Sequence, residues 1–451
     1  MFLGSKGYTI PKEELTTSQQ LKLKRDLTFK PLSTYGEGKE FYAFRESTTK
    51  LYVPRFYGIQ KYGNVSVPLT GKLINVEFKG TIRKDQQDAV DAFMRRKCGL
   101  LELPCGFGKT ILALYLIHLI KKKTIVIVHK EFLLEQWIER IREFLPNAKI
   151  GRIQGEIIDI DKDIVIGMLQ SISMKPYPKE VFQEFGFTII DETHHIAAEV
   201  FSNALFQLVT PYMLGLSATM ERKDGLTKVF KLFLGEIVYS AQREKTTVFV
   251  HKVSYESRDP EFNEVIKNFK GDTNYTCMIK KLSEYNPRKE CILSILTNVL
   301  ALPTTKQVMI LAHTKALLSY LYDAIEHRKL GTVGYYVGGM KQSALKESEE
   351  KQIVVATFAM AEEALDIKTL TTLILATPKT DVTQAVGRIL RVKHEMPLVI
   401  DIVDSHSTFV NQWKKRRAYY NSQSYTIVET THDTYPTPSL KSKKTKCLIE
   451  M

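Results

Sequence analysis

The stretch Leu101-Glu102-Leu103-Pro104-Cys105-Gly106-Phe107-Gly108-Lys109-Thr110, followed at once by the apolar run Ile111 to Ile120, decides how this chain folds. An apolar strand, a turn holding two glycines, and Lys-Thr opening a helix form the layout in which backbone N–H groups and a helix N-terminus cradle phosphates. In that layout Pro104, Cys105, Gly106, Phe107 and Gly108 form the loop. Lys109 reaches the β and γ phosphates, and Thr110 offers its hydroxyl to Mg²⁺. The full nucleotide pattern asks for a glycine at the position of Leu103, and this chain lacks it.

Outward from this loop, the texture from Thr81 to about Ser240 is one of strands alternating with helices. Apolar runs at Leu100–Leu103, Ile125–Val128, Ile164–Gly167, Phe187–Ile190 and Met213–Leu216 are separated by helical patterns such as Phe132 to Phe144. That alternation predicts a parallel sheet wrapped by helices. A second block of the same kind runs from Cys291 to about Ser424, with strands expected at Val308–Leu311, Val333–Tyr336, Ile353–Ala356, Leu373–Ala376 and Leu398–Ile402. It has no phosphate loop of its own, which suggests a cleft in which the second block completes a site on the first.

The expected domains are 1–78, 79–240, 241–290, 291–432 and a tail, 433–451. Residues 1–78 read as a small unit of β character, from Phe41-Tyr42-Ala43-Phe44 and Leu51 to Tyr57, with a short basic helix over Glu13 to Arg25. Lysines, arginines and tyrosines interleave there, among them Arg55, Tyr57, Lys61 and Tyr62, a mix suited either to a nucleic-acid backbone and its bases or to the unit's own core. Residues 241–290 read as a linker or inserted subdomain, with a short amphipathic helix over Phe262 to Phe269. The tail has the composition of a disordered basic end.

The chain has 451 residues, 44% hydrophobic and 25% charged, as in globular proteins with a sizeable core. Lys and Arg number 64 against 50 Asp and Glu, a balance of +14 that suggests a polyanionic partner. The five cysteines include no C-x-x-C pair, so they read as reduced thiols and not as a zinc site or disulfide frame. The segment Met1 to Ile10 is too polar for a signal peptide, and no apolar run is long enough for a membrane span. A soluble cytoplasmic protein is expected.

Nucleotide hydrolysis needs a second, acidic site beside the phosphate loop, to hold the metal and orient a water. Phe187-Thr188-Ile189-Ile190-Asp191-Glu192-Thr193-His194-His195 supplies one, because an apolar strand delivers two carboxylates at its C-terminal end. Asp191 is expected to hold Mg²⁺ and Glu192 to act as general base.

Taken together, these stretches resemble the superfamily 2 helicases of the DExH type. Arg83-Lys84-Asp85-Gln86 resembles the segment whose glutamine reads adenine, and His129 to Trp137 the segment along the nucleic-acid backbone. Asp191-Glu192-Thr193-His194 is the acidic box, and Gly215-Leu216-Ser217-Ala218-Thr219 the coupling motif. Met309 to Thr314, Ala356 to Asp366, and Gln384 to Arg391 resemble the fourth, fifth and sixth motifs. Within the superfamily, the Leu-Pro-Cys-Gly-x-Gly-Lys loop resembles the XPB-like and UvsW-like group, especially compact phage and large-DNA-virus members, which accounts for the missing early glycine. Met220-Glu221-Arg222-Lys223-Asp224-Gly225 is similar to that group's Arg-Glu-Asp element at duplex junctions, with Lys223 in place of the acid. In the fifth motif Ala364 stands where the group usually has glycine.

The resemblance implies two tandem RecA-like parallel-sheet domains with a small β-rich N-terminal domain, using ATP and Mg²⁺ as a monomer on forked or branched DNA. It assigns Arg83, Gln86 and Asp366 to the nucleotide, and Arg388, Arg391 and Gln384 to hydrolysis. Arg388 and Arg391 lie three apart on a helix and face the same way, as arginine fingers would. His194, Ser217 and Thr219 are assigned to coupling; His129, Lys130, Gln136, Trp137, Arg222 and Thr357 to nucleic acid. The implied activity is branch migration or unwinding in recombination and fork repair. The alternatives are a translocase acting on RNA or releasing transcripts, and a nucleotide-gated binding module.

Overall fold

A run of β-branched and aliphatic residues satisfies its backbone only beside another such run, and burial on both faces favours parallel pairing. The structure, a computed structural model, shows this twice. It describes residues 1–31, 39–65, 69–104, 106–193, 196, 198–219, 225–241, 247–363, 367–390, 392 and 394–435. The chain divides into two units, Met1–Arg243 and Glu244–Met451.

The first unit is built on an eight-stranded sheet. Its spatial order is Ile157–Ile158, Ile150–Gln154, Ile164–Met168, Thr124–Val128, Phe187–Ile190, Tyr212–Ser217, Cys98–Glu102 and Ile237–Ser240. Every pairing is parallel except that of the first two strands, which is antiparallel. All five expected strands are present within a residue or two, because their apolar runs are buried almost throughout. The helix Lys109–Ile120 buries Leu112, Ala113, Leu114, Leu116, Ile117 and Ile120 against the sheet, as a helix apolar on all sides must.

Residues of the N-terminal segment form an antiparallel sheet of four short strands, in the order Phe2–Gly4, Gly7–Pro11, Lys50–Val53 and Arg45–Glu46. The helix expected over Glu13 to Arg25 is Thr17–Asp26, opened by a Thr16–Gln19 capping box. The strand expected over Leu51 to Tyr57 stops at Val53, and Arg55–Tyr62 is a helix with Pro54 at its N-cap. Proline lacks the N–H that a ladder needs, and its fixed φ suits a helix start. Gly58 lies so close to Tyr8 that a Cβ on it would sit 2.1 Å from the ring.

This N-terminal sheet shares one hydrophobic core with the larger one: Leu3, Tyr8, Ile10 and Val53 pack with Phe201, Phe206, Phe230 and Phe233. Arg55 Nη1 donates to the carbonyls of Thr210 and Pro211 at 3.2 Å each, and Tyr57 OH donates to Asp26 at 3.0 Å. Arg55 and Tyr57, two of the interleaved basic and aromatic residues, thus serve the fold.

The second unit carries a seven-stranded sheet, parallel throughout. Its order is Val333–Tyr336, Ile353–Thr357, Val308–Ala312, Thr372–Leu375, Leu398–Asp404, Phe249–Tyr255 and Thr426–Thr431. The segment 241–290, expected as a linker or inserted subdomain, therefore supplies an internal strand of this sheet and the helix Tyr275–Glu284. The expected helix over Phe262 to Phe269 reduces to one turn, Pro260–Asn263, because Asn268 and Gly271 impose a tight turn farther along.

Leu398–Asp404 is buried at every position although it carries two aspartates. Arg288 Nε and Nη2 donate to Asp404 at 2.6 and 2.9 Å, and Arg416 Nε and Nη2 donate to Asp401 at 2.7 Å each. Arg288 and Asp404 are 0% exposed, so neither charge has water to fall back on. Replacing Asp404 by Asn is expected to lower unfolding stability by about 3–5 kcal/mol, the cost of stranding a buried charge. Urea denaturation of the full chain checks this.

Candidate nucleotide site

The first sheet aligns its motifs by register. Leu216 and Ser217 pair with Leu101 and Glu102, and the Leu103 N–H donates to the Ser217 carbonyl at 2.8 Å. Ile190 pairs with both Gly215 and Ile127, and the Asp191 N–H donates to the Ile127 carbonyl at 3.0 Å. The phosphate loop, the acidic pair and the coupling motif thus leave the sheet at the same, carboxyl, end, where such sheets hold ligands.

In the loop, Gly106 and Gly108 have φ of +83° and +85°, the left-handed region that favours glycine. The Phe107 carbonyl accepts from Gln86 Nε2 at 2.7 Å and from Arg83 Nη2 at 2.8 Å, while Gln86 Oε1 accepts from the Arg83 N–H at 3.1 Å. Gln86, expected to read adenine, is buried and ties the helix Lys84–Arg96 to the phosphate loop. Pro104 opens the turn by accepting from the Phe107 N–H at 3.2 Å.

Lys109 Nζ donates to Glu192 Oε1 at 2.5 Å, joining the loop to the acidic pair. Glu192 itself has φ of +49°, a conformation costing a non-glycine residue about 1–3 kcal/mol. Its N–H donates to Asp191 Oδ1 at 3.0 Å, and Trp137 Nε1 donates to Asp191 Oδ2 at 2.9 Å. Burial first, and then the Glu192 charge, push the Asp191 carboxyl up to about 6, against the pull of Lys109 and the Trp137 bond. Trp137, expected on a nucleic-acid backbone, is 1% exposed and instead orients this carboxylate. No spacing rule links it to a residue 54 positions away, so only the fold shows the pair.

Among the other expected contacts, His129 is nearly buried, its carbonyl accepting from Gln170 at 3.0 Å, while Lys130 and Gln136 are half-buried. Ser217 is buried and donates to the Thr219 carbonyl at 2.5 Å. In the second unit, Thr357 ends its strand, Gln384 lies half-buried on the helix Thr383–Arg388, and Arg388 at that helix end is buried. Cys105, His194, Arg222, Asp366 and Arg391 lie outside the described residues, as do Ala364 and most of the tail.

The donor set fits Mg²⁺ and a nucleotide phosphate: oxygen ligands from Thr110 and Asp191, an ammonium from Lys109, and a loop with left-handed glycines. Among the described residues no group of three His, Cys, Asp or Glu side chains could hold a metal alone, and no helix is long and apolar enough to cross a membrane.

The family described as "Type III restriction enzyme, res subunit" matches residues 79–222. The chain is 34% identical over 462 residues to "Putative ATP-dependent RNA helicase L396" of Acanthamoeba polyphaga mimivirus, covering 97% of this chain and 87% of that protein. The chain belongs to the superfamily 2 helicases. "Probable helicase D10" of Escherichia phage T5 is 26% identical over 339 residues, with 72% of each covered. In fold, this helicase resembles S. cerevisiae Dbp5 bound to RNA and ADP BeF3, with a TM-score of 0.56 at 13% identity over 77% of this chain and 89% of that one. As a family member it is an ATP-dependent nucleic-acid helicase.

Two substitutions in this helicase test the site. Trp137→Phe removes the only donor the indole gives Asp191; since that bond favours the charged carboxylate, its loss is expected to raise the Mg²⁺ needed for half-maximal ATPase by on the order of ten-fold. Gly108→Ala would put a Cβ 2.6 Å from Gln86 Nε2 at a φ of +85°, and calorimetry is expected to show weakened ATP binding.

Proposed function

We propose that this helicase couples ATP hydrolysis to movement on DNA, unwinding or branch-migrating forks and junctions. The observation that carries the ATP-driven part is the 2.5 Å contact between Lys109 and Glu192. A phosphate competing for that ammonium would release the Glu192 carboxylate next to the place where a water must be activated. In this reading Thr110 and Asp191 hold Mg²⁺, which neutralises charge on the phosphates when bound. Gln86 and Arg83 fix the loop, and Gln384, Arg388 and Arg391 act on the transferring phosphoryl group. Residues 79–240 and the second sheet with its helices, which takes in the strand Phe249–Tyr255 ahead of 291–432, are the two motor domains, and 1–78 recognises the substrate.

A nucleic-acid substrate is supported by the balance of +14 and the basic N-terminal segment, and DNA by the resemblance of the Met220 to Gly225 stretch after the coupling motif to an element used at duplex junctions. A second reading, RNA, is favoured by the names of viral relatives: the mimivirus protein and the African swine fever virus protein QP509L are each called a putative ATP-dependent RNA helicase. The same viral relatives support action in the host cytoplasm.

ATPase stimulation by single-stranded DNA, forked DNA and RNA decides between the two. Stimulation by forked DNA with separation of its strands is expected, and stimulation by RNA alone overturns the DNA assignment. Lys109→Ala is expected to lower the stimulated ATPase by about 10²–10³, the cost of removing one group that stabilises developing charge. Retained unwinding in that variant would sink the ATP-driven reading.

A further inference from the structure

Resting on the helicase reading, we propose that Phe269 stacks on an unpaired base of the bound nucleic acid where duplex gives way to single strand. Phe269 is fully exposed, beyond every other exposed large hydrophobic among the described residues. The backbone turn that carries it is held in place. The Asn268 N–H donates to the Asp272 carbonyl at 2.7 Å, and the Gly271 N–H donates to the Asn268 carbonyl at 3.0 Å. Asn268 Oδ1 accepts from the Lys270 and Asp272 N–H groups at 2.9 and 3.0 Å, and Lys267 bridges Thr273. Such a turn fixes the backbone from which the ring projects, so that on binding chiefly the side-chain rotamer is left to be ordered.

The base of this turn is fastened to the carboxyl end of the second sheet. Thr408, shortly after the strand Leu398–Asp404, donates to Thr273 Oγ1 at 3.2 Å. Tyr275 OH donates to the Pro378 carbonyl at 2.8 Å, beyond the strand Thr372–Leu375, and its ring lies 6.1 Å from that of His313, which comes directly after Val308–Ala312. In a parallel sheet this is the end at which Thr357, the residue proposed for the strand backbone, closes Ile353–Thr357.

Exposed Lys267 and Lys270 flank Phe269 in the sequence, with Glu264 before them and Asp272 after. An exposed aromatic ring on a turn that carries a lysine on either side in the sequence suits a base with its adjoining phosphates, and stacking of this kind tolerates any base. One phenyl ring is too small a patch to anchor a folded protein.

The test uses the full chain and forks of DNA and of RNA carrying 2-aminopurine at the first unpaired position. Phe269→Ala is expected to abolish the change in 2-aminopurine fluorescence on binding. It should also lower single-turnover unwinding by on the order of ten-fold, while ATPase on unstructured single strand changes less than about two-fold. Phe269→Trp is expected to restore both signals. Unchanged fluorescence and unwinding in Phe269→Ala overturn the proposal, as does an ATPase loss equal to the unwinding loss. Should the unsubstituted protein hydrolyse ATP but separate neither fork, the helicase reading fails. The fluorescence of Phe269→Ala then decides the stacking by itself.

Discussion

Parallel pairing is the constraint on which the rest of this molecule depends. A parallel sheet sends the carboxyl ends of all its strands to one edge, so the loops leaving neighbouring strands meet there. In the first unit the register Ser217 to Glu102 and Ile190 to Gly215 brings the phosphate loop, the acidic pair and the coupling motif to that edge. Thr193 Oγ1 lies 3.5 Å from the Leu216 carbonyl, a direct contact between the acidic box and the strand that ends in the coupling motif. Because both residues are buried, a shift of the acidic box has to displace packed atoms.

The chemistry at this edge is poised by burial. Asp191 has lost its water, and its charge is supported by Lys109, the Trp137 indole and the Glu192 N–H. The left-handed backbone at Glu192 is what lets its carboxylate reach Lys109 while its N–H faces Asp191, and the surrounding contacts hold that strain in place. Gln86 and Arg83 converge on the Phe107 carbonyl, so the loop is fixed from the helix behind it.

The second unit solves a different problem, that of carrying two aspartates through a strand with no exposed residue. Arg288 reaches Asp404 and the Ala376 carbonyl; Arg416 reaches Asp401 and the Lys379 carbonyl. Each arginine thus ties the strand Leu398–Asp404 to the segment that precedes the helix Thr383–Arg388, on which Arg388 sits. Planar, bidentate pairs hold such a connection more rigidly than a lysine could.

Much of this was legible in the sequence. Local apolar runs with Gly-x-Gly-Lys-Thr and Asp-Glu at their ends determined the strands, the phosphate loop and the acidic pair, because each of those signals lies within a few consecutive residues. Gly106 and Gly108 do take the left-handed backbone that only a glycine adopts freely. Only the tertiary structure decided that Phe249–Tyr255 joins a sheet whose other members lie far along the chain, and that Trp137 serves Asp191. It also decided that Gln86 grips the loop and that Arg55 and Tyr57 are used in packing. Those outcomes depend on which distant groups are left buried together and must satisfy one another's charge and hydrogen bonds, and no window of neighbouring residues contains that information.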